Sequence, residues 1–224
     1  MSRPDQGPSV RFRVVSGFEF LLGAFVVIGH NVWQILPNEV PILVVLGLVS
    51  LRLRNGEWAA VGLKRPASWA RTLLLAVAAA ALRIVLGAFV IEPLSGLFWP
   101  PMGAPALAEG ITGNVQMALL ALVIVWTFAA FGEEIAYRGY LLARAADLGK
   151  RSTAAYWVGI VLVSVLFGVG HFYKGPAGIL DSGVAGLILG AAFMLSGRNL
   201  WASVLAHAFI DTFGIILLFF GGQS

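Results

Sequence analysis

Seven apolar stretches fill most of this chain and leave it few folds to choose from. They run roughly over residues 14–36, 39–53, 68–91, 114–143, 153–173, 177–196 and 200–220. A helix needs about 20 apolar residues to cross a hydrocarbon core of about 30 Å, and most of the stretches meet that length. Backbone N–H and C=O groups in lipid must find partners within the segment, so stretches of this kind fold as helices. A closed β-barrel would show alternating apolar and polar residues, whereas these runs are continuous. Between them lie Pro37 and Pro41, Asn55-Gly56, Pro93, Pro100-Pro101, Gly149, Gly175-Pro176 and Gly197, residues that end helices. The expected fold is an all-α, polytopic transmembrane bundle of about seven spans, or eight helices, in one membrane-embedded unit. The 39–53 stretch is short enough to tilt or lie at the interface. The 114–143 stretch is overlong and must tilt or emerge.

Composition agrees. Of 224 residues, 59% are hydrophobic and only 12% are charged, against about 25% charged in an average soluble domain. That excludes a disordered chain, a nucleic-acid-binding domain and an ordinary cytosolic enzyme. The chain carries 15 Lys and Arg against 11 Asp and Glu. In a soluble chain that excess would suit nucleic acid; here it reports orientation. Arg3, Arg11 and Arg13 precede the first stretch, and Arg52, Arg54, Lys64, Arg65 and Arg71 lie between the second and third. Arg144, Lys150 and Arg151 follow the fourth, and Arg198 follows the sixth. Those alternate loops hold twelve of the 15 basic residues, and the opposite loops hold only Lys174. The asymmetry predicts a cytoplasmic N-terminus. The connection from 92 to 113 has no Lys or Arg and reads as an outside loop against the interface. The first stretch is too long for a signal peptide and lacks a cleavage site, so it reads as a retained span. The chain has no cysteine, which excludes disulfides, a thiol nucleophile and Cys-ligated metals. Rich Ala and Arg with only three Lys point to a GC-rich bacterial genome and hence a plasma membrane.

An ionisable group at the centre of a span costs about 2.5–3.5 kcal/mol on insertion scales, so each needs a reason. They are Glu19, His30, Arg83, Glu133, Glu134, Arg138, His171, Asp181, His207 and Asp211, and most gather in the fourth, fifth and seventh stretches. Glu133 and Glu134 are adjacent, so on a helix they point about 100° apart and cannot share one partner. Glu134 and Arg138 are spaced i,i+4 with the acid first, the favourable order for an ion pair. Glu133 is left without a local counter-charge, as a general base would be. The same segment also suits an ion-pair clasp between helices. Phe167 and His171 share a helix face, although a single His at a helix end is more often a hydrogen-bonded interfacial residue than a catalyst. His207 and Asp211 also share a face, where Asp211 can orient the imidazole or the two can form a buried polar pair between helices. Taken together, the groups are costly unless they meet. Counted along upright helices, Glu133, His171 and His207 fall at different depths, so strong tilt and a mid-membrane site are expected.

The order Glu133-Glu134-Ile-Ala-Tyr-Arg138, then Phe167-Gly-Val-Gly-His171, then His207-Ala-Phe-Ile-Asp211 resembles the CAAX protease and bacteriocin-processing family. Its members, also called Abi or CPBP proteins, include the type II CAAX prenyl endopeptidases. Arg138 is followed by Gly139-Tyr140-Leu141, also typical of them. The region that holds the motifs, Glu133 to Asp211, covers about a third of the chain. The resemblance implies a catalytic helical core at 114–220, after N-terminal helices and an outside loop at 1–113. It implies an intramembrane endopeptidase acting on a membrane-associated peptide or protein, with the bilayer as its other partner and no nucleic acid. By the same analogy Glu133 and His171 activate water, His207 and Asp211 stabilise the oxyanion, and Glu134, Arg138 and Phe167 support the site. The prenyl endopeptidases usually carry Asn where Asp211 stands. An ionised Asp only accepts hydrogen bonds, so Asp211 either keeps a proton or orients His207.

The family is often described as metalloproteases, yet no His-Glu-x-x-His is present. If Zn2+ is bound, Glu133, His171 and His207 would supply three ligands and leave a fourth position open. A metal-free glutamate base serves equally, and that version is preferred. Two other readings stay open. A proton-coupled transporter would place the same charges in a relay, but matching repeats and broken helices are missing. A non-catalytic scaffold or immunity-type protein would share the fold. A serine protease is disfavoured, because Ser182 and Ser203 lack a nucleophile-elbow context.

Overall fold

The computed structural model describes residues 10–54, 56–99 and 110–221. Arg3, Asn55, Pro100-Pro101 and much of the 92–113 connection lie outside the described residues. Within them the chain is helical and has no strand. The helices are α1 (Val10–Asn31), α2 (Glu39–Leu53), α3 (Trp69–Gly96), α4 (Val115–Leu148), α5 (Thr153–Val169), α6 (Gly175–Leu195) and α7 (Leu200–Phe219). Five of them start at a capping side chain. Asn38, Ser68, Asn114, Ser152 and Asn199 each accept a hydrogen bond from a backbone N–H two or three residues on, which satisfies a donor the first turn leaves free. Gly197, at φ 77°, turns the chain from α6 into α7, a backbone shape that costs glycine little.

Helices α1, α3, α4, α6 and α7 are long and apolar enough to cross a membrane. The chain is therefore an integral, multi-pass membrane protein. Helices α2 and α5 have 15 and 17 residues. At about 1.5 Å per residue they fall short of the ~30 Å core, so five segments reach spanning length where seven were expected. The bundle's outer face is apolar, with Phe18, Leu74, Phe89, Phe128 and Val165 exposed, as suits lipid contact.

The overlong fourth stretch has a structural explanation. Helix α4 is 34 residues long, and its middle, Val125–Leu141, winds in wide turns, with the Leu142 N–H donating to the Tyr137 carbonyl five residues back. Wide turns of this kind are rare and recur at functional sites. The second half of α4 is the buried centre of the protein. Ala136, Tyr137, Tyr140, Leu141, Leu142 and Ala146 join one apolar core with residues of α1, α2, α5, α6 and α7. A second core forms where Ala76 and Ala79 of α3 meet Leu189 and Ala192 of α6 and Ala202 and Ala206 of α7.

Lipid tails are as apolar as leucine, so helices in a membrane are held by close van der Waals contact, which small residues permit. The α5–α6 seam shows this at Gly168. A Cβ there would sit 2.6 Å from the Ile179 carbonyl oxygen, a backbone atom that cannot swing away. Gly168→Ala should force the two helices apart and cost about 1–3 kcal/mol, as overpacking does. Thermal unfolding in detergent measures it. Gly214→Ala is the control, since nothing lies within 4 Å of its Cβ position; it should leave the midpoint unchanged or slightly higher.

The intramembrane charges outside the three motifs are paired. Arg83 of α3 bonds Asp181 of α6. His30 Nε2 lies 3.4 Å from Glu39 Oε2. Glu19 meets Arg54 at 2.7 Å and Arg144 at 3.4 Å.

Candidate active site

The wide turns of α4 carry Glu133, Glu134, Tyr137 and Arg138 into the bundle. Glu134 and Arg138 are 0% and 2% exposed, so neither charge survives there unpaired. Arg138 Nη1 donates to Glu134 Oε1 at 2.9 Å, and Nη2 donates to the Gly186 carbonyl of α6 at 3.1 Å. The guanidinium carbon also lies 4.5 Å from the centre of the Phe167 ring, a cation–π contact. From α7, His207 Nδ1 donates to the same Glu134 oxygen at 3.0 Å. The i,i+4 pair read from the sequence thus exists, and it also ties α4 to α6 and α7.

Phe167 is the hub on the α5 side. Its ring centre is 5.1 Å from Tyr137, 4.8 Å from His171 and 5.9 Å from His207. His171 lies just past the end of α5 rather than within it. Its Nδ1 meets the Phe167 carbonyl at 2.9 Å. A carbonyl only accepts, so Nδ1 carries a proton, and in the neutral ring Nε2 is left as an acceptor. His207 Nε2 is 3.6 Å from Asp211 Oδ2, too long for a hydrogen bond. The closer orienting partner of His207 is Glu134, not Asp211.

Glu133 stands apart, as adjacency to Glu134 requires. It is half-buried, and its Oε2 is buried with no hydrogen-bond partner. It lies within electrostatic reach of His207, Asp211, Glu134 and Arg138, and His171 within reach of His207 and Arg138. The structure therefore brings Glu134, Arg138, Phe167 and His207 into direct contact. His171 joins them through the Phe167 ring, Asp211 through His207, and Glu133 as an unpartnered carboxylate beside them.

Two residues of this region escaped the sequence reading. Tyr137 is 1% exposed, and its hydroxyl donates to Glu39 Oε1 at 3.5 Å. A Cβ on Gly170 would lie 2.7 Å from that hydroxyl, so the pair packs against the turn that carries His171. Glu39 sits in the first turn of α2 behind the Asn38 cap, where an acid is ordinary. No spacing rule links it to a tyrosine 98 positions away.

Among the described residues no group of three His, Asp or Glu side chains is disposed to hold an ion. His207 Nδ1 is held by Glu134, and its Nε2 lies 3.6 Å from Asp211 Oδ2.

A family model described as "Type II CAAX prenyl endopeptidase Rce1-like" matches residues 115–213. No match was found among curated proteins or among solved structures. The matched span opens at the first residue of α4, closes two residues beyond Asp211 and holds all three motifs. Residues 115–213, which hold the whole candidate site except its Glu39 neighbour, are similar to the type II CAAX prenyl endopeptidase Rce1-like family.

Proposed function

We propose that this protein is an intramembrane endopeptidase that hydrolyses a peptide bond of a membrane-associated peptide or protein. The observation that carries the reading is Glu133: a carboxylate with a buried, unpartnered oxygen and, among the described residues, no ion pair, beside Glu134, whose Oε1 already accepts from Arg138 and His207. In the proposed reaction Glu133 takes a proton from water, helped by His171 Nε2, and the water oxygen attacks the scissile carbonyl carbon. His207 in its imidazolium form keeps one N–H on Glu134 and turns the other toward the developing oxyanion. The Asp211 carboxylate, too far away to hold that N–H, stabilises the ring's charge. Collapse of the tetrahedral intermediate breaks the C–N bond, and Glu133 returns its proton to the leaving amine. Water is thereby split between the new carboxyl and amine ends, and no step runs through a metal.

We further infer that α2 and α5 also cross, which gives seven spans with a cytoplasmic N-terminus in a bacterial plasma membrane. Prenylation of the substrate is not implied by this chemistry. The test offers purified protein in detergent a panel of membrane peptides. At least one should be cut, and His171→Ala should lower the rate by about 10²–10⁴, the range of general acid–base contributions. An intact panel with well-folded protein would favour the scaffold reading.

A further inference from the structure

A second polar chamber lies toward the other end of α4. A cavity of about 180 Å³ is lined by Arg54, Arg144 and Arg151, with Ser50 and Tyr140 beside them. Glu133 and Arg144 are 11 residues apart on α4, roughly 15 Å along the axis, so this chamber is separate from the candidate active site. Among the described residues two carboxylates serve its three guanidiniums. Arg54 Nη2 is 2.7 Å from Glu19 Oε1. Arg144 reaches Glu19 at 3.4 Å and Asp147 at 3.3 Å, and Arg151 Nε reaches Asp147 at 2.6 Å. Three positive against two negative charges leave one positive charge over. Arg144 touches both carboxylates, whereas Arg151, 33% exposed, reaches only Asp147, which it shares with Arg144.

Guanidiniums that outnumber the carboxylates around a cavity leave it net positive, and an anion placed there is attracted to all three. We propose that this cavity binds a phosphate group of net negative charge. Guanidinium forks match phosphate oxygens in pairs. A volume of 180 Å³ accommodates several water-sized groups at about 30 Å³ each. The walls also include Phe12 and Leu51, at the end of the bundle where the basic loops Arg52–Arg54 and Lys150–Arg151 emerge. Basic chambers between membrane helices are suited to anionic headgroups.

The test follows thermal unfolding of the full chain in an uncharged detergent. Phosphatidylglycerol, inorganic phosphate, phosphatidylcholine and sodium chloride of matched ionic strength are added separately. A net-anionic phosphate should raise the midpoint above phosphatidylcholine and chloride. A response to phosphatidylglycerol alone identifies a lipid headgroup, and a response to inorganic phosphate identifies the free ion. Arg151→Gln is the variant of choice, because this side chain is 33% exposed and its loss is tolerable. It should shift the titration about tenfold, the loss of one charge-assisted contact. Equal responses to all four additions, or an unchanged titration in Arg151→Gln, would overturn the proposal. If that variant does not fold, native mass spectrometry of wild type with equal phosphatidylglycerol and phosphatidylcholine decides. Preferential retention of phosphatidylglycerol supports the site, and equal retention overturns it. Neither readout uses proteolysis, so the proposal stands or fails independently of the activity.

Discussion

Glu133→Gln is expected to abolish cleavage and leave the protein folded. The substitution keeps the shape of the side chain and removes its capacity to take a proton. General-base participation contributes about 10²–10⁴ in rate, so single-turnover cleavage of a susceptible peptide should fall by at least about a hundredfold. Stability should move the other way or not at all. The Glu133 carboxylate has a buried oxygen with no hydrogen-bond partner, and a neutral amide is cheaper to bury than a charge. The thermal midpoint in detergent should thus be equal to wild type or higher. Lost activity with retained or raised stability is the pattern of a group kept for chemistry at some cost to the fold. Wild-type cleavage by the variant would remove Glu133 from the mechanism.

The contrast between the two glutamates shows how far the sequence can be read. Adjacency alone says that Glu133 and Glu134 face different partners, and the i,i+4 step to Arg138 says which one is paired. Both inferences are local, and the structure carries the pair at 2.9 Å. The links between helices are different. That His207 shares an oxygen with Arg138, that Phe167 packs against three other site residues and the Arg138 guanidinium, and that Tyr137 meets Glu39 depend on how helices stack. Every stretch is apolar nearly all round, so hydrophobic periodicity could not rank its faces. The same weakness explains the span count. Apolar stretches are visible in sequence, but their helical lengths are not: α5 stops at Val169 and leaves His171 in the turn beyond. The wide turns of α4 had no sequence signal beyond its excess length. The family resemblance drew its force from three local motifs in order, the kind of information a single sequence holds best.

Arg138→Ala is expected to fail in the opposite way to Glu133→Gln. Removing the guanidinium strips Glu134 of its nearest cation, at 2.9 Å and fully buried. It also leaves the Gly186 carbonyl without its Arg138 donor and Phe167 without its cation–π contact. Breaking a buried pair from one side costs about 3–5 kcal/mol, because the remaining charge is left uncompensated. In a protein whose total margin is about 5–15 kcal/mol, that is enough to lower the midpoint sharply. Glu134 would then rely on His207 alone, drawing the imidazole away from any substrate. Activity should therefore be lost through the fold, and a double variant separates the two causes. Glu134→Gln combined with Arg138→Met removes both charges together. It should recover most of the lost stability, since neutral partners of similar volume often replace a buried ion pair at little cost. It should not recover cleavage, because His207 would no longer have the carboxylate that orients its Nδ1. Unfolding midpoints and cleavage rates of the two variants, measured side by side, test the pair as the support of the site. If Arg138→Ala unfolds at the wild-type midpoint, the clasp is not what holds α4, α6 and α7 together.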